Sequence, residues 1–357
     1  MKDNPEIVWL TSLPAPYRLP IWRQIGKHSK LTVFFTNGEK NKRHWNVPKD
    51  ANWKSIFFNK RIFYLDQTQI IPNPLGFMRV CRKGRILVIG GGWEVPLHFT
   101  AALYARFTGR RVFIIAESTL ESHRFTGKFS MLFRRFFFSL GHKVFTVGEA
   151  SSTAVRKCGI PEIKIVQLFN PIDVNLFSNL PRRNKQIQSS GHNFLCVGRL
   201  IKLKNFESVI HAFINIYKEG DSLTIIGEGP ELRNLQKIVG QSNLHDKIRF
   251  IGNVTQAELA NYYAEAKTLV MPSLNEVWGM VAVEALSSGC HVIVSDKAGV
   301  SSSINAMQGV FVCTTEISSI KHCMIKSRKS FKNWINKPQI LEFTPERFAD
   351  EMLKNLT

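Results

Sequence analysis

The stretch Glu276-Val277-Trp278-Gly279-Met280-Val281-Ala282-Val283-Glu284 sets two carboxylates on either side of a helix start. Glu276 falls in the loop after the apolar run Leu269–Met271, and Glu284 in the second turn of the helix that follows. Gly279 and Met280 would present backbone N–H groups at that start, where a phosphate can be held. A loop carboxylate can accept hydrogen bonds from sugar hydroxyls, and Glu284 could reach a ribose diol. Acidic residues near a helix N-terminus also serve plain capping electrostatics, so the pair alone leaves both uses open. Gly198-Arg199-Leu200 with Lys204-Asn205 sets two cations on one strand-to-helix loop, enough to hold a diphosphate without a metal. By themselves these read first as solvated surface charges. Gly227-Glu228-Gly229-Pro230 and Gly90-Gly91-Gly92 also follow strand-like runs, but neither completes a dinucleotide fingerprint. The second run still lets a ligand approach the backbone closely.

The elements that must position these groups follow from the pattern around them. Short apolar runs alternate with longer amphipathic stretches, which predicts parallel sheets with crossover helices. In the first half, Ile7–Leu10, Leu31–Phe35, Ile86–Ile89, Val112–Ile115 and Lys143–Thr146 predict strands. Leu19–Gly26, Pro96–Phe107 and Ser151–Cys158 predict helices. Pro181 to Gly191 is polar and aperiodic, as a linker would be. The alternation then restarts with strands from Phe194–Val197 to His291–Ser295 and helices between them, a doubly wound pattern. Thr344–Leu356 predicts one amphipathic helix, with Pro345 at its start and Phe348, Met352, Leu353 and Leu356 on one face. The expected division is an N-terminal domain over 1–178, a linker over 179–192, a second domain over 193–343 and the C-terminal helix over 344–357. Two such domains put a cleft between the carboxyl ends of two sheets, where α/β proteins bind ligands.

The 357 residues suffice for two domains with cores of their own. At 44% hydrophobic residues the chain is not disordered, collagenous or coiled-coil. No apolar run reaches the ~18 residues needed to span a bilayer. The first residues do not form a signal peptide, so a soluble chain of the cytosol is expected. Six dispersed cysteines without a Cys-x-x-Cys pair are expected as reduced, buried thiols; Cys313, His322 and Cys323 make a poor zinc cluster. The net charge of +21 is unevenly divided, with 27 Lys/Arg against 11 Asp/Glu up to Ser178 and 21 against 16 after it. Such an N-terminal half should attract nucleic acid, anionic lipid or a phosphorylated acceptor. The segment from Lys128 to Lys143 mixes Phe129, Phe133, Phe136, Phe137 and Phe138 with Arg134 and Arg135. It reads either as a helix in a membrane interface, with the arginines at headgroups, or as a Phe-rich core helix. Its aromatic residues run nearly all round, so at least one side must be buried.

Taken in order, Val197-Gly198-Arg199-Leu200 with Lys204-Asn205, Ile226-Gly227-Glu228-Gly229-Pro230, Phe250-Ile251-Gly252-Asn253-Val254, Pro272-Ser273, and Glu276 with Glu284 form a specific set. Together they resemble the donor domain of retaining nucleotide-sugar glycosyltransferases of the GT-B fold, specifically glycosyltransferase family 4 (glycosyl transferases group 1). The resemblance runs from about Phe194 to Ile304. It implies an α/β fold of two Rossmann-like, doubly wound domains facing each other across a cleft, with the C-terminal helix returning to the N-terminal domain.

The activity it implies is transfer of a hexosyl or N-acetylhexosaminyl group, with retention, from a UDP- or GDP-sugar to an acceptor hydroxyl. A lipid-linked saccharide, lipopolysaccharide or exopolysaccharide precursor would suit the basic N-terminal half, at the cytoplasmic face of a membrane. Arg199 and Lys204 would neutralise the donor diphosphate, Glu276 would hold the sugar and Glu284 the ribose. Gly198, Gly279 and Met280 would contact phosphate or sugar, and Ile251 and Asn253 would line the base pocket. No Asp-x-Asp occurs, in keeping with a metal-independent transferase whose nucleotide-sugar is a co-substrate, with no cofactor.

The N-terminal half resembles the family less. The loop Ser12 to Arg18, with Ala15, stands where the family has a small-residue loop near the donor phosphates, and Phe169-Asn170-Pro171-Ile172-Asp173 where many members have Asn-Gly-Val-Asp. Val277-Trp278 replaces the common Gly-Phe, which would reshape the sugar pocket. Ala116-Glu117-Ser118-Thr119 stands where the family often has a histidine, with His123 further on. Trp93, Glu94, Glu117 and His123 are the candidate acceptor contacts, and a capping role is equally open for Glu117. The alternatives are a GT-B nucleotide-sugar epimerase, a degenerate transferase scaffold kept for protein contacts, and a basic nucleic-acid-binding protein. The last is disfavoured, because no aromatic-basic nucleic-acid module is present.

Overall fold

The computed structural model describes residues 4–36, 47–58, 63–65, 68–70, 82, 84–122, 127–178 and 191–356. It divides into two compact units, Met1–Pro171 with Phe343–Thr357, and Ile172–Glu342.

The first unit is built on strands β1 (Glu6–Thr11), β2 (Lys30–Phe35), β3 (Lys54–Phe57), β6 (Ile86–Gly90), β7 (Arg111–Ala116), β8 (Lys143–Val147) and β9 (Ile165–Leu168). A separate antiparallel pair, β4 (Phe63–Leu65) and β5 (Thr68–Ile70), stands outside this sheet. The seven strands pair in parallel in the order β3-β2-β1-β6-β7-β8-β9. The interior strands are continuous apolar runs because both of their faces are covered; Ile7, Val8, Trp9 and Leu10 of β1 are all buried. The edge strands β3 and β9 are short and only partly buried, so they carry no such run and escape a sequence reading.

Helices α1 (Leu19–His28), α2 (Pro96–Phe107), α3 (Lys128–Leu140) and α4 (Gly148–Lys157) complete the crossovers. In α3 the two readings of the Phe-rich segment are divided between two faces. Arg134, Phe137 and Leu140 turn inward, and Phe99 of α2 stacks on Phe137 with ring centroids 6.1 Å apart. Phe129, Leu132, Phe133 and Phe136 form an exposed stripe at helical spacing, Phe129 being 81% exposed.

The second unit holds α5 (Val174–Ser178), β10 (Asn193–Val197), α6 (Phe206–Ile216), β11 (Ser222–Ile226), α7 (Leu232–Gly240), β12 (Ile248–Ile251) and α8 (Gln256–Glu265). It continues with β13 (Thr268–Met271), α9 (Met280–Ser287), β14 (His291–Ser295), α10 (Ser301–Ile304), β15 (Val310–Cys313) and α11 (Ile317–Ser330). Its six parallel strands run β12-β11-β10-β13-β14-β15. The unit boundary lies at Pro171/Ile172, earlier than the expected division after Ser178, because α5 packs against α8 and α9. Of the expected linker, residues 179–190 lie outside the described residues. The C-terminal helix α12 (Pro345–Leu356) belongs to the first unit, where it packs against α1 with Phe348, Met352 and Leu356 buried.

In both sheets the chain reverses direction of travel once, between β1 and β6 in the first and between β10 and β13 in the second. Loops that leave the carboxyl ends of strands at such a point splay apart and leave room for a ligand. Cys158, Cys196, Cys290, Cys313 and Cys323 are free and buried, and Cys81 lies outside the described residues. Among the described residues no helix is long and apolar enough to cross a membrane.

Candidate functional site

The loops after β10 and β13 meet at the reversal point of the second sheet. Lys204 ends a tight turn over Lys202–Lys204, and its Nζ forms an ion pair with Oε2 of Glu276. Both side chains keep some access to solvent, 17% and 21%. Asn205 stands in the left-handed region at φ 55° and fastens the turn. Its Nδ2 donates to the carbonyls of Pro272 (3.3 Å) and Thr315 (2.9 Å), and its Oδ1 accepts from Ser208 Oγ (2.7 Å). Leu274 N–H donates to the Leu203 carbonyl at 2.8 Å, so the two loops are stitched along their backbones as well. Arg199 is exposed and, among the described residues, has neither an ion pair nor a hydrogen bond to its side chain. The arrangement is one held ammonium, one held carboxylate and one unengaged guanidinium.

The glycines here have steric reasons. At Gly227, φ is 131° and a Cβ would run into the carbonyl oxygen of Gly198. The backbone of this turn lies directly on the Arg199 loop, with Leu200 N–H donating to the Glu228 carbonyl at 2.8 Å. Gly279, at φ 114°, starts α9, and a Cβ there would lie 2.6 Å from Met271 Cε. Glu276 is pinned through its backbone, its N–H reaching Lys297 O (3.2 Å) and its carbonyl accepting from Gly299 N–H (2.9 Å). Ile251 ends β12 half-buried, and exposed Asn253 donates from Nδ2 to Oε2 of Glu228 at 2.9 Å. Glu228 therefore belongs to this rim; its place between Gly227 and Gly229 was the available signal.

Glu284 lies deeper than its expected role suggests. It is buried in α9, and its Oε2 accepts from the hydroxyl of buried Tyr263 at 2.9 Å. Burial pushes this carboxyl up to about 7, with the Tyr263 hydroxyl pulling the other way. Its position one turn and a half into a well-packed helix gives it an internal partner that spacing alone did not show.

In the first unit, loops after β1, β6 and β7 gather in the same manner. Ala15 is buried and precedes the tight turn Pro16–Arg18. Arg18, missed as a site residue by sequence reasoning, is 4% exposed and donates from Nη2 to Oε1 of Glu117 at 2.7 Å. Its guanidinium also lies 5.5 Å from the Trp9 ring centroid and 5.7 Å from that of Tyr17. Burial opposes the Arg18 charge, but Glu117 and Tyr17 outweigh it and the guanidinium titrates above its ordinary range. Glu117 is the counter-ion of Arg18 and also lines the cavity beside it.

Beside this pair is a cavity of about 150 Å³ lined by Gly91, Trp93, Glu94, Ala116, Glu117 and Arg134, among others. Arg134 is 5% exposed, with its guanidinium 5.7 Å from the Trp93 ring centroid. The expectation that Arg134 and Arg135 act together as surface charges is corrected: Arg134 turns into the unit, and only Arg135 is exposed. Beneath the glycine run, His98 is fully buried with Nδ1 3.2 Å from the Gly92 carbonyl, and burial lowers its pKa to about 4. A Cβ on Gly91 would overlap the His98 ring, so that glycine makes room for the histidine. His123 lies outside the described residues.

Residues 180–330 match the family model described as glycosyl transferases group 1. An uncharacterized glycosyltransferase of Methanocaldococcus jannaschii is 30% identical over 191 residues, covering 50% of this chain and 48% of the relative. The O-antigen chain mannosyltransferase RfbU of Salmonella typhimurium is 30% identical over 158 residues, covering 43% of this chain and 42% of the relative. The alpha-monoglucosyldiacylglycerol synthase of Streptococcus pneumoniae is 32% identical over 109 residues, covering 30% of this chain and 25% of the relative. The matched stretches thus span about half or less of these relatives. Among solved structures, Anabaena HepE in complex with UDP superposes with a TM-score of 0.77 at 15% identity, over 98% of this chain and 99% of that one. The apo lipopolysaccharide outer core galactosyltransferase WaaB superposes with a TM-score of 0.72 at 14% identity, over 98% of both chains. The fold is GT-B.

Proposed function

We propose that this chain is a retaining glycosyltransferase that moves a sugar from a nucleoside diphosphate donor to an acceptor hydroxyl. The observation that carries the reading is the Lys204–Glu276 pair at the reversal point of the second sheet, with unengaged Arg199 on the same loop. As the bond between the anomeric carbon and the phosphate oxygen breaks, negative charge grows on the leaving diphosphate. Arg199 and Lys204 meet that charge, and their prior fastening spares the reorganisation that water would need. Glu276 holds the ammonium through one oxygen and offers its other to a sugar hydroxyl. Asn253 and Ile251 border the base, and Glu284 supports the ribose from within α9. Attack comes from the face the diphosphate leaves, within an ion pair, so no protein nucleophile is required. This charge balance asks for no metal.

The donor class is supported by likeness to a protein solved with UDP and with UDP-glucose. The acceptor is an anionic, lipid-linked saccharide or lipopolysaccharide precursor. In support, relatives are named for O-antigen and diacylglycerol substrates, and the N-terminal half carries most of the +21 charge. The exposed stripe on α3 rests on an anionic membrane surface, since neither α2 nor α3 contains an acidic residue and Lys128 and Arg135 flank the phenylalanines. Screening UDP- and GDP-sugars for protection against thermal unfolding tests the donor half. Protection by one nucleotide class, followed by a transferred sugar on a lipid acceptor, is the expected result. Absence of protection by any of them sinks the reading, and an epimerised sugar formed from donor alone replaces it with the epimerase.

A further inference from the structure

One buried group of the first unit is explained neither by packing nor by charge. His98 is the third residue of α2 and is fully buried. Burial lowers its pKa to about 4, so the ring is neutral and has a single N–H. Its Nδ1 lies 3.2 Å from the Gly92 carbonyl, which can only accept, so the proton is on Nδ1. Nε2 is then a bare acceptor, and among the described residues it has no partner. A buried nitrogen left in this state costs stability, and Leu would fill similar space without that cost. What the imidazole adds over an apolar side chain is the Nδ1–H donated to the turn above it. The turn is fitted to the ring, since a Cβ on Gly91 would stand 2.2 Å from His98 Cε1. The other donor to the Gly92 carbonyl is Val95 N–H at 3.4 Å, long for a hydrogen bond, so the histidine supplies the firmer hold.

This turn carries Trp93 and Glu94. Trp93 is braced on Phe133 of α3, with ring centroids 6.0 Å apart and planes 11° apart. The Glu94 carboxylate folds back over Gly92, where a Cβ would lie 2.1 and 2.2 Å from its two oxygens. Gly91, Gly92, Trp93 and Glu94 all line the cavity that Glu117 also lines. Two carboxylates accept hydrogen bonds from hydroxyls and an indole gives an apolar wall, which is chemistry for a polyhydroxylated ring. We infer that His98 is a positioning residue for the acceptor: its Nδ1–H fixes the turn over 91–94 so that Glu94 and Trp93, with Glu117, receive the acceptor's saccharide part in this cavity. The inference rests on the proposed transfer reaction for the identity of the acceptor; the hold of His98 on the turn does not depend on it.

Octyl α-D-glucoside, α-D-mannoside and α-D-galactoside, below their micellar concentrations, are titrated calorimetrically into wild type, His98→Asn, His98→Gln and His98→Leu, with 1-octanol as the blank. At least one glycoside should bind the wild type more tightly than 1-octanol does. His98→Leu and His98→Gln should weaken that binding by about tenfold or more, because neither places a donor at the Nδ1 position. His98→Asn, whose Nδ2 can stand where Nδ1 stands, should keep it within about threefold of wild type. Long-range nitrogen-15 correlation spectra should show the Nδ1–H tautomer for His98 from about pH 5.5 to pH 8. Unchanged glycoside binding in His98→Leu overturns the inference, and so does an Nε2–H tautomer. Equal losses in His98→Asn and His98→Leu overturn it too, by making the shape of the ring responsible and not its donor. Wild-type affinity for every glycoside no better than for 1-octanol overturns the saccharide assignment. UDP titrated into the same samples reads the donor half and should bind all four proteins alike. A parallel loss of UDP and glycoside binding makes His98 merely structural and overturns the inference, whereas no UDP binding by the wild type removes the proposed function.

Discussion

Each sheet sets one cation–carboxylate pair at the place where its strand order reverses, but the two pairs are built differently. Lys204–Glu276 joins two loops with both partners near solvent, whereas Arg18 of the other pair is sealed between aromatic rings and only Glu117 has access. A pair whose two partners both keep some solvent access holds its groups in place at modest desolvation cost and can share them with an incoming ligand. A buried pair is committed to the loop it braces, because breaking it leaves a charge uncompensated. The same cation–carboxylate chemistry is therefore left open to solvent in the second unit and committed to loop construction in the first.

The largest effects should separate these uses. Lys204→Ala and Glu276→Ala are expected to lower turnover by two or more orders of magnitude, about 3 kcal/mol or more in the barrier, with little change in melting temperature. Arg18→Ala should instead cost about 3 kcal/mol of stability, measured by denaturant unfolding. Full stability in Arg18→Ala with collapsed turnover would invert the comparison.

A second contrast lies within the second unit, between solvent-touched Glu276 and buried Glu284. The Glu284 carboxyl titrates near 7 in the fold against about 4.3 in an unfolded chain. Between those values the native state binds the extra proton, so stability falls as pH rises, and the penalty is complete above pH 7. Glu284→Gln keeps an acceptor for the Tyr263 hydroxyl and removes that penalty. Its unfolding free energy should exceed wild type by up to about 3 kcal/mol at pH 8, with the difference vanishing near pH 4.5. A difference that does not change with pH would contradict this account of Glu284.

The smallest effects concern the outer face of the first unit. Flotation with vesicles containing phosphatidylglycerol should show binding that weakens with salt and is absent on neutral vesicles. Arg135→Glu and Phe129→Ser should each weaken it by about tenfold, from one charge reversal or one buried aromatic lost. Binding to neutral vesicles alone would remove the electrostatic part of the comparison.

Legibility followed burial. Interior strands such as Ile86–Gly90 and Thr268–Met271 were readable because covered faces demand unbroken apolar runs, and helix Pro96–Phe107 because proline marks its start. Edge strands β3 and β9 were not, since a half-covered strand places no strong demand on residue type. At the site, the spacing of Arg199, Lys204 and Glu276 on strand-to-helix loops was visible, because loop residues at strand ends are local features. That Lys204 meets Glu276 was not, since the two lie 72 positions apart in the chain and come together only through the strand order.

The sequence by itself determined the two parallel-sheet units, the amphipathic C-terminal helix, the loops that carry the candidate groups and the concentration of positive charge in the N-terminal half. These depend on periodicity and composition, which are properties of neighbouring residues. Only the tertiary structure decided that Arg134 turns inward while Arg135 faces water, that Glu117 is the counter-ion of Arg18, and that Glu284 is held by Tyr263. Those outcomes depend on which faces are covered and which distant loops meet. Burial sets the energy of a charge, and it is a property of the packed whole.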